Sequence, residues 1–176
     1  GAVPFWKGEG VGRPYELGAA IGKFSRELLA QREPKVEGLD ERAAWNLVEY
    51  LREQERVTGV VPSDRTVVVE RFRDEIGDWR VCILTPFGSR VHQPWAIALE
   101  ARIEERLGLT VQTMATDDGI ILRLPDTSDD EIPIDEILLP AEEVRELVVG
   151  RLHSSALFTS RGREAAARAL RMPRYR

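Results

Sequence analysis

Apolar residues recur at helical spacing in two stretches near the N-terminus. The first stretch carries this pattern at Leu17, Ile21, Phe24 and Leu28, and the second carries it at Ala44, Leu47, Val48 and Leu51. Positions three or four apart share one face of a helix, so each stretch predicts an amphipathic helix. Pro14 suits the first turn of the first helix and Pro34 interrupts it, whereas Asp40 is an N-cap candidate for the second, which ends near Gly59.

Two pairs of apolar, β-branched segments follow, and each pair predicts a β-hairpin. TVVVERF (66–72) and WRVCIL (79–84) are separated by the acidic DEIGD, and LTVQTMA and IILRLP flank TDDG (116–119), whose Asp-Gly step favours a tight turn. Between the hairpins, a helical pattern begins at Pro94 and ends at Gly108, a residue suited to a helix C-terminus. This order of elements predicts an α+β fold in which antiparallel hairpins flank a central helix.

The remaining segments add helices at the C-terminal end and an extended N-terminal segment. Residues 126–133 are polar and acidic and predict a loop, Pro140 begins another helical pattern, and residues 159–172 predict an Ala- and Arg-rich helix. Residues 1–13 are rich in glycine and predict an extended strand or linker. We therefore expect a single α+β sandwich domain over residues 14–176, with helices before and after the hairpins.

The composition is that of an ordinary globular domain. With 176 residues and 43% hydrophobic content, the chain is long enough to bury one core. No apolar run approaches the roughly 18 residues of a membrane span, and the first ten residues lack the apolar centre of a signal peptide, so we expect a cytoplasmic protein with no membrane partner. The single cysteine, Cys82, lies inside WRVCIL and is expected to be a buried packing residue.

Charge is distributed unevenly along the chain. The formal net charge of −5 argues against a dedicated, strongly basic nucleic-acid binder. Residues 126–150 hold nine acidic residues and one arginine, whereas residues 151–176 hold seven arginines and one glutamate. A basic end of this kind fits contact with a polyanion or an acidic neighbour, and solvated surface helices explain it almost as well.

Candidate catalytic and metal-binding motifs lack the required spacing. GAAIGKFS (18–25) has only three residues between its glycines and has Phe24 in place of Ser or Thr, so it is not a phosphate-binding loop. Ser89 lacks the flanking glycines of a nucleophile elbow. The two histidines and one cysteine are far apart, and Asp117 and Asp118 lack the alternating ligands of a calcium loop. We therefore predict no catalytic residue and no metal site.

Three long segments resemble one helicase family. They are VPFWKGEGVGRPYELG near the N-terminus, ERFRDEIGDWRVCILTPFGSRVHQPWAIALEARI in the middle, and ATDDGIILRLP after it. Together they resemble the DEAD/H-associated domain of the large helicase-related (Lhr) proteins, which follows the motor and winged-helix regions. The resemblance extends over nearly the whole chain, from about residue 3 to residue 173.

The resemblance implies a fold and a function. Lhr proteins are superfamily 2 ATP-dependent helicases that translocate on single-stranded DNA, unwind duplexes including RNA:DNA hybrids, and are linked with DNA repair. Their corresponding region has a secretion-chaperone-like α/β sandwich. This chain lacks the Walker A and DExH motifs of the two RecA-like domains. We therefore expect a non-catalytic accessory domain of a larger helicase, with no cofactor of its own, while ATP and Mg bind the parent's motor domains.

The expected role is to help enclose the translocating strand and to brace the motor and winged-helix domains. The expected nucleic-acid contacts are Trp6, Lys7, Arg13, Arg90 and His92. Trp6 beside Lys7 in a glycine-flanked segment suits a base-stacking ring next to a phosphate contact, with core packing of Trp6 as the alternative. Arg90 and His92 lie in TPFGSRVHQPWA, which predicts a strand-to-helix corner. A purely scaffolding module, in which the same residues dock onto the winged helix or the motor, is the alternative function.

Overall fold

The computed structural model describes residues 12–108, 110–124, 134–153 and 156–171. These residues form six helices and four strands. In chain order they are α1 (Tyr15–Leu29), α2 (Glu41–Thr58), β1 (Val68–Arg73), β2 (Trp79–Leu84), α3 (Ser89–Leu107), β3 (Gln112–Ala115), β4 (Gly119–Leu124), α4 (Ile134–Ile137), α5 (Ala141–Leu152) and α6 (Ala156–Arg168). The predicted α+β class is confirmed.

The four strands form one antiparallel sheet in the order β1-β2-β4-β3. Both predicted hairpins are present, and pairing of β2 with β4 joins them. Val81 and Ile83 of β2 lie opposite Leu122 and Ile120 of β4, so these four side chains point to one face of the sheet, which α3 covers. The resulting core consists of Val81, Ile83, Ala96, Leu99, Ile103, Val111, Ile120, Leu122, Leu124 and Ile137. We call the four strands together with α3 the sheet unit.

Helices α1 and α2, which we call the helical pair, have a separate and smaller core of Leu28, Val48 and Leu51. Both predicted ends of α2 are confirmed. The carboxylate of Asp40 accepts the N–H of Ala43 at 2.8 Å, which satisfies a donor at the start of the helix. Gly59 ends the helix with φ of +80°, a conformation that costs glycine little.

The predicted buried face of α1 is wrong over most of its length. Of that apolar stripe only Leu28 is buried, and the other members are 53%, 39% and 42% exposed: Leu17, Ile21 and Phe24. The helix instead buries Gly18 and Gly22. A Cβ atom on Gly18 would lie 2.1 Å from the carbonyl oxygen of Pro86, and one on Gly22 would lie 2.5 Å from the backbone nitrogen of Asp64. Because only glycine permits this close approach, the glycine face of α1 packs on the rest of the domain.

The central helix begins five residues before its predicted start. α3 starts at Ser89, and Pro94 lies inside it. Gly88, with φ of +89°, turns the chain into the helix, and the carboxylate of Asp117 accepts the N–H of Ser89 at 2.8 Å. An anion that binds a free N–H of the first turn stabilises the helix start. The predicted C-terminus at Gly108 is confirmed, with φ of +67°.

The C-terminal helices follow the predicted order. The helix after Pro140 is confirmed as α5, which packs along α3, and the helix predicted over residues 159–172 occurs as α6, shifted toward the N-terminus. Arg102 of α3 is 6% exposed, and its guanidinium contacts the carboxylates of Glu136 and Glu143 at 2.7 Å each. A buried guanidinium requires anionic partners, and here they come from α4 and α5. The two ion pairs therefore link these helices to α3.

Cys82 is less buried than the sequence pattern predicts. Cys82 is partly rather than fully buried, lies on the sheet face opposite α3, and has its thiol pKa raised by burial.

Within the described ranges, no helix has both the length and the apolar character that a bilayer crossing requires. The same ranges contain no group of three or more His, Cys, Asp or Glu side chains suited to hold a metal ion. The extended segment as far as residue 11 and the acidic loop 126–133 lie outside the described residues.

Candidate nucleic-acid interface

The stretch TPFGSRVHQPWA forms the predicted corner between β2 and α3. Three loops meet there: the residues after β2, the turn between β3 and β4, and residues 12–13, which precede α1. The backbones pack tightly, because a Cβ atom on Gly88 would lie 2.3 Å from the carbonyl oxygen of Arg13. The corner thus holds the start of the described chain against the sheet unit.

Asp117 is the central acceptor of this corner. One carboxylate oxygen accepts the backbone N–H of Arg13 and that of Ser89, both at 2.8 Å. These backbone hydrogen bonds, together with one from the Ser89 side chain, lower the pKa of Asp117 to about 2. Sequence reasoning assigned Asp117 and Asp118 only to a turn, and so missed that Asp117 fixes two distant backbone segments.

Arg13, a predicted nucleic-acid contact, is largely engaged within the protein. Its guanidinium donates to the carbonyl oxygens of Pro86 at 3.2 Å and Asp117 at 3.1 Å, and it pairs with the carboxylate of Asp118 at 2.9 Å. The Arg13 side chain is 21% exposed, and that of Asp118 is 80% exposed. The Arg13 side chain therefore links the segment before α1 to the residues after β2 and to the turn between β3 and β4.

His92 lies beneath the corner with its ring fully enclosed. The residue is 0% exposed, with Nδ1 2.6 Å from the carbonyl oxygen of Thr116 and Nε2 2.9 Å from the hydroxyl of Thr85. A carbonyl oxygen only accepts, so Nδ1 carries a proton and donates it to Thr116, while the hydroxyl of Thr85 is the hydrogen-bond partner of Nε2. A direct contact between His92 and a nucleic acid would require the ring to leave this site.

Of the predicted nucleic-acid contacts that the structure describes, Arg90 is the one whose side chain is classed as exposed. It lies in the first turn of α3, and its Cγ would be 3.7 Å from a Cβ atom on Gly12. Trp6 and Lys7 lie outside the described residues. They precede Gly12 by six and five positions in the sequence. Their nucleic-acid contact stays a prediction.

Arginines also contact the rings of two other tryptophans. The guanidinium carbons of Arg71 and Arg73 lie 4.6 and 4.5 Å from the ring centroid of Trp79, at one end of the hairpin β1–β2. Trp45 of α2 is 40% exposed, with the Arg52 guanidinium 5.5 Å from its ring. Trp79 packs against the core of the sheet unit, so truncation of this side chain should destabilise the domain.

Comparison with known families and proteins gives consistent matches. A family model described as DEAD/H associated matches residues 61–176. The chain is 49% identical to the Lhr helicase/probable uracil glycosylase of Mycolicibacterium smegmatis, over 98% of this chain and 12% of that relative. It is 45% identical to the Lhr helicase/uracil glycosylase of Escherichia coli, over 97% of this chain and 11% of that relative. The chain therefore spans about one eighth or less of the length of these curated relatives.

A solved structure extends the similarity to three dimensions. The structure of Mycobacterium smegmatis helicase Lhr bound to ssDNA and AMP-PNP is similar to this chain with a TM-score of 0.82 and 47% sequence identity. The match covers 97% of this chain and 22% of that chain. The similarity thus includes the helical pair, which lies before the region that the family model matches.

Proposed function

The chain belongs to the DEAD/H associated family, and on this basis we propose that it is a non-catalytic accessory domain of an Lhr-type ATP-dependent DNA helicase. Its role is to help hold the translocating single strand and to brace the motor and winged-helix domains. ATP and Mg act in the motor domains of the parent, and the nucleic-acid partner in the context of the parent is single-stranded DNA or an RNA:DNA hybrid. A cytoplasmic location and a part in DNA repair complete the proposal.

One observation carries the strand-holding role: the chain that follows Trp6 and Lys7 is bonded to the corner that exposes Arg90. Arg13 donates its backbone N–H and its guanidinium to Asp117, and Gly12 lies against Ser89 and Arg90. An aromatic ring and cations close together in the sequence suit a single strand, since bases stack on rings and phosphates pair with cations. The solved relative contains ssDNA, which supports the same role.

The acidic surroundings predict modest affinity for the isolated chain. The net charge is −5, and Asp117 and Asp118 lie beside the cations of the corner. Binding by the isolated chain should therefore be weak and should fall steeply with added salt, because each phosphate contact releases counterions. In the complete helicase, the motor supplies most of the affinity and this domain adds contacts on one side of the strand.

The test substitutes Trp6→Ala in the complete helicase. Loss of a stacked ring should cost about 1–3 kcal/mol of single-strand affinity and slow unwinding, while the melting temperature stays nearly unchanged. Fluorescence anisotropy with a labelled oligonucleotide measures the first effect and a strand-displacement assay the second. Trp45→Ala is the matched control, because Trp45 is a partly exposed tryptophan outside the corner. A lower melting temperature with normal DNA affinity would show that Trp6 is a packing residue.

The exposed stripe of α1 favours scaffolding as the second candidate function. Leu17, Ile21 and Phe24 expose apolar area on one helix face, and the rest of a much longer polypeptide is available to cover it. In this role the stripe docks onto the winged-helix or motor domain. Phe24→Ser should then destabilise the complete helicase but not the isolated chain. Equal melting temperatures of variant and wild type in both settings would rule this candidate out.

A further inference from the structure

Tyr15 and Phe87 form a pair of aromatic rings at the edge of the corner. Their ring centroids are 5.4 Å apart, and the ring planes are inclined by 32°. Tyr15 is the first residue of α1 and is 52% exposed, whereas Phe87 lies in the turn before α3 and is partly buried. The Phe87 ring therefore supports the tyrosine ring while about half of Tyr15 faces solvent.

The backbone around this ring pair is fixed from several sides. Pro14 precedes Tyr15 with φ of −60°. One turn later, Gly18 packs so closely on Pro86 that a Cβ atom would lie 2.1 Å from its carbonyl oxygen. Arg13 also donates to Pro86 and to the turn between β3 and β4. Because the backbone is held, only the two side-chain torsions of Tyr15 need ordering when a planar ligand binds, which keeps the entropic cost low.

The charges of the corner favour contact of the Tyr15 ring with a flat, uncharged part of a ligand rather than with a phosphate. Arg13 is paired with Asp118, and the Asp117 carboxylate is ionised at neutral pH because its pKa is about 2. Arg90 is exposed on the same corner. A nucleic acid that approaches the corner meets the exposed ring of Tyr15, which suits a base, and Arg90 is the expected phosphate contact.

We propose that Tyr15, backed by Phe87, is a stacking platform for one unpaired base of a single strand, with Arg90 of the same corner as the expected phosphate contact. This inference rests on the proposed function and deepens it, since it adds a second aromatic contact to Trp6. Every base has a π face, so stacking of this kind tolerates any sequence, as a translocating enzyme requires.

The experiment compares Tyr15→Leu with Tyr15→Phe in the complete helicase. The probe is a set of single-stranded oligonucleotides in which 2-aminopurine replaces one base at successive positions. Tyr15→Leu should weaken binding by about fivefold to about a hundredfold and should abolish fluorescence quenching at one position. Tyr15→Phe keeps the ring and should bind like the wild type. Tyr50→Leu is the matched control, because Tyr50 is 69% exposed on α2, outside the corner.

Salt dependence separates a stacked base from a phosphate contact. The fold-change caused by Tyr15→Leu should be the same at low and high salt, whereas Arg90→Ala should reduce the slope of affinity against salt. A Tyr15→Leu effect that disappears at high salt would overturn the stacking role. If Tyr15→Leu binds like the wild type while Trp6→Ala binds weakly, the platform is wrong and the proposed function stands. If neither substitution changes binding, the Tyr15 platform and the proposed strand-holding function are both wrong.

A measurement on the wild type guards against a folding defect in the variants. An oligonucleotide that carries 5-iodouracil in place of one base is irradiated in the complex, and the cross-linked peptides are identified by mass spectrometry. Cross-linking to the peptide that contains Tyr15 is the expected result. Cross-links confined to other peptides, at every position of the substituted base, would overturn the proposal.

Discussion

The sheet unit and the helical pair bury their apolar residues in different ways. Around the sheet unit, ten buried residues form one core, and eight of them belong to the strands and α3. In the helical pair, three buried residues join α1 to α2, and much of the apolar stripe of α1 remains exposed. The family model begins at residue 61, after the helical pair, although the curated relatives match both regions.

This difference shows which region depends on its surroundings. The larger core around the sheet unit removes more apolar area from water than the core of the helical pair, and so contributes more to stability. The helical pair depends on contacts with the rest of the domain. These are the glycine face of α1, the hydrogen bonds of Arg13 just before α1, and a two-point ion pair in which Arg26 donates to Asp64 at 2.8 and 2.9 Å. We therefore expect substitutions in the two regions to act on different cooperative units.

The largest expected effect is that of Leu99→Ala in the sheet unit. Leu99 is 0% exposed, so its truncation should lower the free energy of unfolding by about 2–5 kcal/mol, as measured by urea denaturation of this chain. Leu17→Ala is the matched control, because Leu17 is also a helical leucine but is 53% exposed. Its cost should stay within about 0.5 kcal/mol. Similar losses for the two variants would contradict the comparison.

An intermediate effect is expected for Gly18→Ala, at the contact between the two regions. The added methyl group would lie 2.1 Å from the carbonyl oxygen of Pro86 and 3.0 Å from Cα of Phe87, so α1 must shift, at a cost of about 1–3 kcal/mol. Gly150→Ala is the control in α5, where a Cβ atom meets no atom within 4 Å, and should stabilise by up to about 1 kcal/mol.

Thermal denaturation measures the stability of both glycine variants. Gly18→Ala should lower the melting temperature and Gly150→Ala should raise it. Hydrogen exchange should also show that Gly18→Ala loosens α1 more than the sheet unit. Stabilisation by Gly18→Ala would mean that the glycine face of α1 is not packed on the corner.

The smallest expected effect is the pH dependence contributed by Asp117, which joins the two regions. Its pKa is lowered from an ordinary 3.8 to about 2 in the folded state. The stabilisation is therefore fully present above about pH 4 and is lost as the pH falls toward 2. Asp117→Asn should be less stable than the wild type at pH 6, and the two should converge near pH 2 in urea denaturation. Asp118→Asn is the control. A gap that stays constant from pH 6 to pH 2 would contradict the ionised role of Asp117.

Elements with local signals were predictable from the sequence. Strand β2 coincides with WRVCIL, and both ends of α2 follow from Asp40 and Gly59. In each case the deciding contacts lie within a few residues along the chain, as with the Ala43 N–H that Asp40 accepts. Side-chain spacing and capping chemistry therefore contain the necessary information.

Features decided by distant segments were not predictable. The choice of buried face in α1 depends on backbone near residues 64 and 86, which only glycine can approach closely. The early start of α3 depends on Asp117, which is 28 positions from Ser89. The sequence selected Arg13, Arg90 and His92, and the structure does bring them to one corner. It could not reveal that Thr85 and Thr116 enclose His92, because both contacts form only after the hairpins and α3 assemble.

The hydrogen bond from Arg13 to Asp117 joins residues 104 positions apart in the chain. During synthesis, Arg13 emerges long before its acceptor exists, and the acceptor is correctly placed only once the turn between β3 and β4 has formed. Closing so long a loop costs more entropy than closing a hairpin, by about 0.6 kcal/mol for each doubling of length. The N-terminal segment should therefore dock last, after the sheet unit has formed. Reversal of the same step should free that segment first, while the sheet unit remains folded.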